Sequence, residues 1–463
     1  MLPQFTDRKK ELIFLENVYS QPKFKLAVIY GRRRVGKTEL IKKFMSDKKG
    51  CYILFTNENM KENINFLKEG FASLLGKSYF RDLAVDNIYD LFKHLRNEIN
   101  IKEKHVIALD EFPFILEINK GLLSTFQKII DETLKDTNIM LIISGSSLSM
   151  MENDVLGYRS PLYGRNLNVW KLLPFEFSTL LKIFDNILVT SETYFVFGNI
   201  PYYLSFYDEK LSLLNNIKKN ILTKGMNLYD EPLILLRQEF RESRTYKLLL
   251  KYISLGYKSV GKLCSVSGMD KSNISKYLDT LQETGFIEHV LPLGKKRGGV
   301  YEIVDPFIDF WFRFVETNRA DLEIGNINKV VEIFEKEKNA FFGHHFEFLI
   351  KKLLETKVFK EFEEFNLVYK WWHKDKEIDI VALNEKKKEI LFAECKWQDN
   401  VNAEKILQEL KEKSEFVDWN KNKRKESYVV FAKSFKKRAK DCYCFDLKDI
   451  SKQLHSAKTK MKK

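Results

Sequence analysis

The sequence predicts an α/β protein: a parallel sheet with helices on both faces, then helical segments, then a strand-rich C-terminal part. Three observations carry this reading. Short apolar runs at 26–30, 52–55, 105–109, 140–143 and 168–172 are separated by longer amphipathic stretches. Such continuous runs suit strands buried on both faces, and the separations leave room for crossover helices. Beyond about residue 246 the periodicity becomes helical and then turns to paired strands. At 463 residues the chain has room for about three domains.

Taken in order, residues 1–185 form the predicted sheet domain. Residues 186–245 read as helical, with a break at Gly198-Asn199-Ile200-Pro201. Residues 246–335 begin with three expected helices at 247–255, 259–265 and 272–283, followed by paired strands at 286–290 and 300–304. Ile274, Tyr277, Leu278 and Leu281 fall at i, i+3, i+4 and i+7, one core-facing stripe, and Gly285 stops that helix. Three helices with a two-stranded wing make a winged helix-turn-helix, and an aromatic-rich helical connector follows at 306–315. Residues 336–463 are expected to start with a helix at 341–354 and turn strand-rich. The Lys-rich tail 458–463 reads as a frayed, solvated end. The sequence contains no internal repeat.

Composition narrows the class. Hydrophobic residues at 44%, with 37 Phe, exclude a disordered chain, and 20 Gly with 9 Pro exclude a fibrous or linker-dominated one. Lys+Arg 78 against Asp+Glu 64 gives +14, which makes nucleic acid or another polyanion a natural partner, although a Lys-rich surface also serves solubility. Five cysteines form no CxxC pair, which fits a reduced cytoplasmic interior rather than a zinc site. Cys442 and Cys444 lie on an expected strand, where packing is their natural role. The first residues carry no apolar signal core, and no uncharged run approaches 18 residues, so no membrane span is expected.

Gly31-Arg32-Arg33-Arg34-Val35-Gly36-Lys37-Thr38 matches the phosphate-loop pattern G-x-x-x-x-G-K-[ST] between an apolar strand and a helix. The glycines let backbone N–H groups close on phosphate oxygens at a helix N-terminus. Lys37 then reaches the β- and γ-phosphates, and the Thr38 hydroxyl ligates Mg²⁺. The side chains of Arg32, Arg33 and Arg34 are expected to face solvent or polyanion. The strand at 105–109 runs into Asp110 and Glu111: Asp110 would hold the Mg²⁺ shell, and Glu111 would polarise the attacking water. Ser144 and Ser146 compete for the role of γ-phosphate sensor. Arg159 and Arg165 compete for stabilising charge on the γ-phosphate, with Arg165 preferred, in cis or from a neighbouring subunit.

In the C-terminal part, Glu377 to Leu383 and Ile390 to Lys396 read as a hairpin around a charged turn. Period 2 puts Glu394 and Lys396 on one face, with Asp379 set against them. Glu347 lies at the margin of the buried face of the preceding helix. Trp371 and Trp372 could stack on bases, though packing is the simpler role. The bland alternative is a surface hairpin in which these carboxylates pair with Lys396.

These residues carry a resemblance. GRRRVGKT, ALDEFPFI, SGSSLSMM followed by PLYGR, GNIPYYL and VDPFIDFWF resemble the archaeal-type, STAND-like P-loop ATPases with a C-terminal DUF234 domain. Those proteins usually read Gly-Gly-x-Pro at the fourth motif, where Asn199 replaces the second glycine. The resemblance implies a P-loop NTPase sheet of the ASCE/AAA+ kind with a helical lid, ATP and Mg²⁺ as ligands, and hydrolysis coupled to domain rearrangement. Asp379, Glu394-x-Lys396 and Glu347 are similar to a PD-(D/E)xK nuclease core, which implies a restriction-endonuclease-like α/β domain. There Glu347, Asp379 and Glu394 would bind Mg²⁺ or Mn²⁺ and Lys396 would activate water.

Two functions follow. One is an ATP-dependent, DNA-associated protein with a nuclease-like C-terminal domain. The other is a non-nucleolytic ATPase switch whose helical and winged segments face a protein partner or a second copy. Lys271, Asn273 and Lys276 on the recognition helix, and Lys295, Lys296 and Arg297 in the wing, are basic but not dense enough to decide.

Overall fold

A computed structural model of the chain describes residues 5–165 and 167–460. The N-terminal sheet forms because each apolar run feeds a parallel strand. The strands are β1 (Lys25–Tyr30), β2 (Gly50–Leu54), β3 (His105–Asp110), β4 (Ile139–Gly145) and β5 (Leu167–Lys171), in the order β2-β3-β4-β1-β5. Alternate side chains divide between two apolar clusters. Leu26, Val28, Ile107, Leu109, Leu141 and Ile143 face one layer, and Ala27, Ile29, Val106, Ala108, Met140 and Ile142 face the other. Two-sided burial holds for β3 and β4 and nearly throughout β1, but not at the margins. β5 has a neighbour on one side only, and its Val169 is 41% exposed.

The chain forms two compact units. One runs up to Phe175 and takes in Ile200–Ser205; the other comprises Glu176–Asn199 and the chain from Phe206 onward. In the second unit the helix Ile187–Phe197 ends at Gly198, whose φ of 67° is left-handed, and Pro201 starts the short helix Pro201–Leu204 in the first unit.

Helices Ser243–Ser254, Val260–Ser267 and Lys271–Glu283 then lead into the antiparallel strands β6 (Ile287–Val290) and β7 (Val300–Ile303). Ile274, Leu278 and Leu281 are fully buried, and Gly285 has φ 74°. The connector is helical over Pro306–Phe310, followed by a π-helical turn over Trp311–Glu316.

One element is much longer than expected. The helix predicted at 341–354 extends over Ile327–Glu355, so the expected boundary at residue 336 falls inside it. No proline interrupts this stretch, and a Cβ added at its internal Gly343 meets nothing within 4 Å. The helix precedes a mixed sheet of β8 (Leu367–His373), β9 (Lys376–Asn384), β10 (Glu389–Lys396), β12 (Lys425–Ala432) and β14 (Tyr443–Phe445), ordered β14-β12-β10-β9-β8. A short pair, β11 (Val401–Asn402) with β13 (Phe435–Lys437), lies apart from it. The last helix, Leu447–Lys460, continues into the tail expected to fray, while 461–463 lie outside the described residues. Cys442 and Cys444 pack against a small apolar cluster, and all five cysteines are free thiols. Among the described residues, no helix is long and apolar enough to cross a membrane.

Candidate functional site

The phosphate-loop motif is built by close backbone approach. A Cβ on Gly31 would stand 2.2 Å from the Leu172 carbonyl oxygen, so only glycine fits where the loop leaves β1. Arg34 (φ 70°) and Gly36 (φ 93°) are both left-handed and curl the loop into the helix Lys37–Met45. That helix turns its first N–H groups and its positive dipole end toward the loop. Lys37 is buried, and its ammonium donates to the carbonyls of Gly31 (3.0 Å) and Arg32 (3.2 Å).

The carboxylates at the end of β3 are held by neutral donors. Thr38 Oγ1 and Tyr52 Oη each donate to Asp110 Oδ2 at 2.6 Å, and the Glu111 N–H donates to Oδ1 at 3.0 Å. Burial, and then the neighbouring Asp110, push the Tyr52 phenol above its usual range, so it remains a donor. Glu111 has φ 51°, a left-handed backbone that costs a non-glycine residue about 1–3 kcal/mol. Its Oε2 accepts from the Ser146 N–H (3.2 Å) and Ser146 Oγ (2.7 Å). The two serines are thereby distinguished: Ser146 holds Glu111. Ser144 Oγ is buried without a hydrogen-bond partner, one position beyond the Leu109–Ile143 pair of the β3–β4 ladder.

Sequence reading missed three of these contacts. Tyr52 reaches Asp110 only because β2 lies beside β3, and Ser146 reaches Glu111 only because β4 does. Arg8 is buried, with its guanidinium over the Phe175 ring (4.7 Å); it donates to the carbonyls of Val35 (2.9 Å) and Leu173 (2.8 Å). It thus fastens the loop from behind.

The loop arginines correct an expectation. Arg32, Arg33 and Arg34 are half-buried, not turned to solvent; Arg33 lies over Phe114 (5.8 Å) and Arg34 over Tyr202 (4.3 Å). A guanidinium is weakly hydrated and stacks readily on aromatic faces. Arg165 is also occupied: it grips both Asp131 oxygens (3.0 and 2.9 Å) and the Pro161 carbonyl, whereas Arg159 is exposed.

At the C-terminal sheet the register sets Asp379 and Glu394 together, one step beyond the Ala393–Ile380 pair. Asp379 Oδ2 accepts from the Cys395 N–H (2.8 Å). Lys396 Nζ lies 2.6 Å from Glu394 Oε2 and 3.8 Å from Asp379 Oδ2. The other Glu394 oxygen takes Lys413 (2.7 Å), from the helix Ala403–Ser414 that covers this face. Nothing in the sequence marked Lys413 out from the other lysines of an amphipathic helix. Glu347 pairs with Lys370 (3.1 Å), which also holds Glu377 (3.2 Å).

Burial, reinforced by Glu347 and Glu394, holds the Asp379 carboxyl well above the usual range. Burial also raises Glu347, against the pull of Lys370. Burial alone would lower Lys396, but Asp379 and Glu394 outweigh it and hold the ammonium above its usual value. Among the described residues, no group of three or more His, Cys, Asp or Glu side chains stands ready to hold a metal ion. The expected three-carboxylate set is instead divided among lysines. Trp371 is buried in the sheet's core, which removes it as a stacking surface; Trp372 is half-buried.

A family model for an ATPase domain predominantly from Archaea matches residues 5–194, and the DUF234 model, for archaeal and bacterial proteins of unknown function, matches 311–406. The chain is 35% identical to the uncharacterized protein MJECL04 of Methanocaldococcus jannaschii over 460 residues, 96% of this chain and 100% of the relative. The chain belongs to the archaeal ATPase family with a C-terminal DUF234 domain. A second relative of this family member is the uncharacterized ATP-binding protein MJ0423 of the same organism, 58% identical over 45 residues, 10% of this chain and 76% of that one. Among solved structures, the Walker-type ATPase PABY2304 of Pyrococcus abyssi is similar at 20% identity with a TM-score of 0.49, over 66% of this chain and 96% of that one. The family's α/β P-loop fold accounts for the first sheet, and a mixed-sheet domain follows at the C-terminal end.

Proposed function

We propose that the archaeal ATPase family member binds Mg²⁺·ATP at Gly31 to Thr38 and hydrolyses it. The observation that carries this is the hydrogen-bonded series from Thr38 through Asp110 to Glu111 and on to Ser146. Backbone N–H groups from Arg32 to Thr38 would receive the phosphates, with Lys37 leaving the loop carbonyls for the β- and γ-oxygens. The donor set fits a hard cation: Thr38 Oγ1 and Asp110 would hold Mg²⁺, which supplies neutralisation of phosphate charge. Glu111 orients the water, and Ser146 keeps that carboxylate in place. The segments flanking Gly198 and the three helices with the β6–β7 wing are read as a helical lid and a winged helix. They would pass the nucleotide state to the C-terminal domain.

There, Asp379, Glu394 and Lys396 are read as a nuclease-like site facing a DNA phosphodiester, with Asp379 and Glu394 holding a divalent cation if one binds. The double lysine pairing of Glu394 favours a second reading, in which this domain binds without cleaving and the ATPase acts as a switch. Calorimetry tests the first step. Lys37→Ala should reduce Mg²⁺·ATP affinity at least about a hundredfold, some 2.7 kcal/mol; unchanged affinity would sink the assignment. Incubation with labelled DNA and RNA, with and without ATP and Mn²⁺, separates cleavage from binding.

A further inference from the structure

The wing between β6 and β7 is fastened to the C-terminal sheet. The Leu293 N–H donates to the Lys370 carbonyl on β8 (2.9 Å), and Pro292 makes a parallel bridge to the same residue. The Leu293 side chain packs against the apolar cluster that contains Trp371, Ile378 and Phe392. A short turn follows, closed by the Lys295 N–H to the Pro292 carbonyl (3.0 Å), with Gly294 and Gly298 both left-handed (φ 77° and 78°). This turn leaves Lys295, Lys296 and Arg297 exposed.

The point of attachment matters. Lys370 stands between the Tyr369–Val381 and Trp371–Ile378 pairs, opposite the stretch of β9 that carries Asp379. Strands lie roughly 4.8 Å apart, so the wing backbone sits about two spacings, roughly 10 Å, from Asp379. At the near end of the same ladder the β8–β9 turn exposes His373 and Lys374, with Asp375 the one opposing charge between Lys374 and Lys376. Both hairpins therefore carry exposed cations on the β8 side of the carboxylate–lysine cluster, the wing beyond β8 and the β8–β9 turn at the end of the ladder nearest Asp379.

We infer that the wing tip (Lys295, Lys296, Arg297) and Lys374 form one phosphate-binding surface that lays duplex DNA across Asp379, Glu394 and Lys396. The inference rests on reading that cluster as phosphodiester-facing. A duplex carries about one charge per 1.7 Å of axis, so a span of roughly 10 Å presents about six phosphate charges to the cations of the two hairpins. Single-strand binders combine a basic groove with open aromatic platforms, whereas Trp371 here is buried and Trp372 half-buried. The surface is specific to backbone charge, not to base sequence.

The test uses the full chain in EDTA, with a fluorescein-labelled blunt duplex, anisotropy and a salt series. Neutralising Lys295, Lys296 and Arg297 together should lower the slope of log K against log salt by about 3, and Lys374→Ala alone by about 1. Unchanged melting temperatures in both variants confirm that folding is intact. A Lys374→Ala variant with wild-type slope overturns the composite surface, since the wing would then act alone. Tighter binding of a single strand or of RNA overturns the partner. No binding by the wild-type chain at low salt also overturns it. A parallel wild-type series with Mn²⁺ in place of EDTA separates the two readings: the predicted slopes with no effect of Mn²⁺ on affinity would keep the surface and sink the metal-site reading of the cluster.

Discussion

Two pairs of neighbouring carboxylates in this molecule, one in each sheet domain, are stabilised by opposite means. Asp110 and Glu111 are held by hydroxyls and N–H groups from Thr38, Tyr52 and Ser146. Glu394 is held by two ammonium groups, Lys396 and Lys413, while Asp379 takes the Cys395 N–H and has Lys396 3.8 Å away. Neutral donors orient a carboxylate without cancelling its charge, so the first pair keeps its attraction for a cation. Lysines cancel it, so a cation at the second pair has to displace them. The same residue type is thus poised in one place and compensated in the other.

The sharpest way to test the poised pair is Glu111→Gln. It should leave ATP affinity intact and slow turnover by about 10²–10⁴-fold in a phosphate-release assay. Turnover near wild type would reduce Glu111 to a structural, strained residue. At the compensated pair, Lys413→Met should expose the other half of the comparison. It strands one Glu394 oxygen in a buried site, and breaking such a pair costs about 3–5 kcal/mol. Millimolar Mn²⁺ should restore part of the lost melting temperature, by about 2.7 kcal/mol at a hundredfold excess over Kd. Destabilisation that ignores Mn²⁺ would leave only a salt-bridged hairpin.

Acid gives a third contrast, beside the C-terminal pair. Burial alone would raise Glu302, but Lys258, His344 and Lys370 together lower it to about 2. Burial, aided by Lys258, lowers His344 to about 3. Both folded values lie below the ordinary ones of about 4.3 and 6.5, so the unfolded chain takes up protons first and stability falls on acidification. The loss should begin near pH 6.5 through His344 and deepen below about pH 4.5 through Glu302. Thermal melts across pH should show this, and His344→Gln should flatten the slope between about pH 4 and 6.5. An unchanged slope would place the protons elsewhere. The smallest effect belongs to Tyr52→Phe. Losing one donor to Asp110, worth about 1 kcal/mol, should raise the Mg²⁺ requirement for ATP binding several-fold and leave metal-free ATP binding unchanged.

What the sequence showed and what it hid follow from the range of the physics involved. The phosphate loop was legible because its glycines, lysine and threonine act within eight consecutive residues. Strands β1, β3 and β4 were legible because two-sided burial demands unbroken apolar runs. Asp379 and Glu394 could be paired because a hairpin fixes its own register. Tyr52, Ser146, Arg8 and Lys413 were not legible, since each acts on a residue brought near only by strand order or helix packing. The stacking of Arg33 and Arg34 was missed for the same reason: Phe114 and Tyr202 are distant in sequence. The helix Ile327–Glu355 was cut short because its first half is strongly charged and carries a weak apolar stripe.

The excursion of Ile200–Ser205 into the first unit has a practical consequence for anyone dissecting this protein. The chain leaves one unit for six residues and returns, so no single scission separates the first unit cleanly from the second. A truncation at Phe175 keeps every residue of the phosphate loop yet discards Tyr202, the ring beneath Arg34. Such a fragment would keep the motif but lack part of its lining, and weak nucleotide binding by it would say little about the intact chain. An informative truncation has to run past Ser205, and a linker replacing Glu176–Asn199 has to return the chain to Ile200.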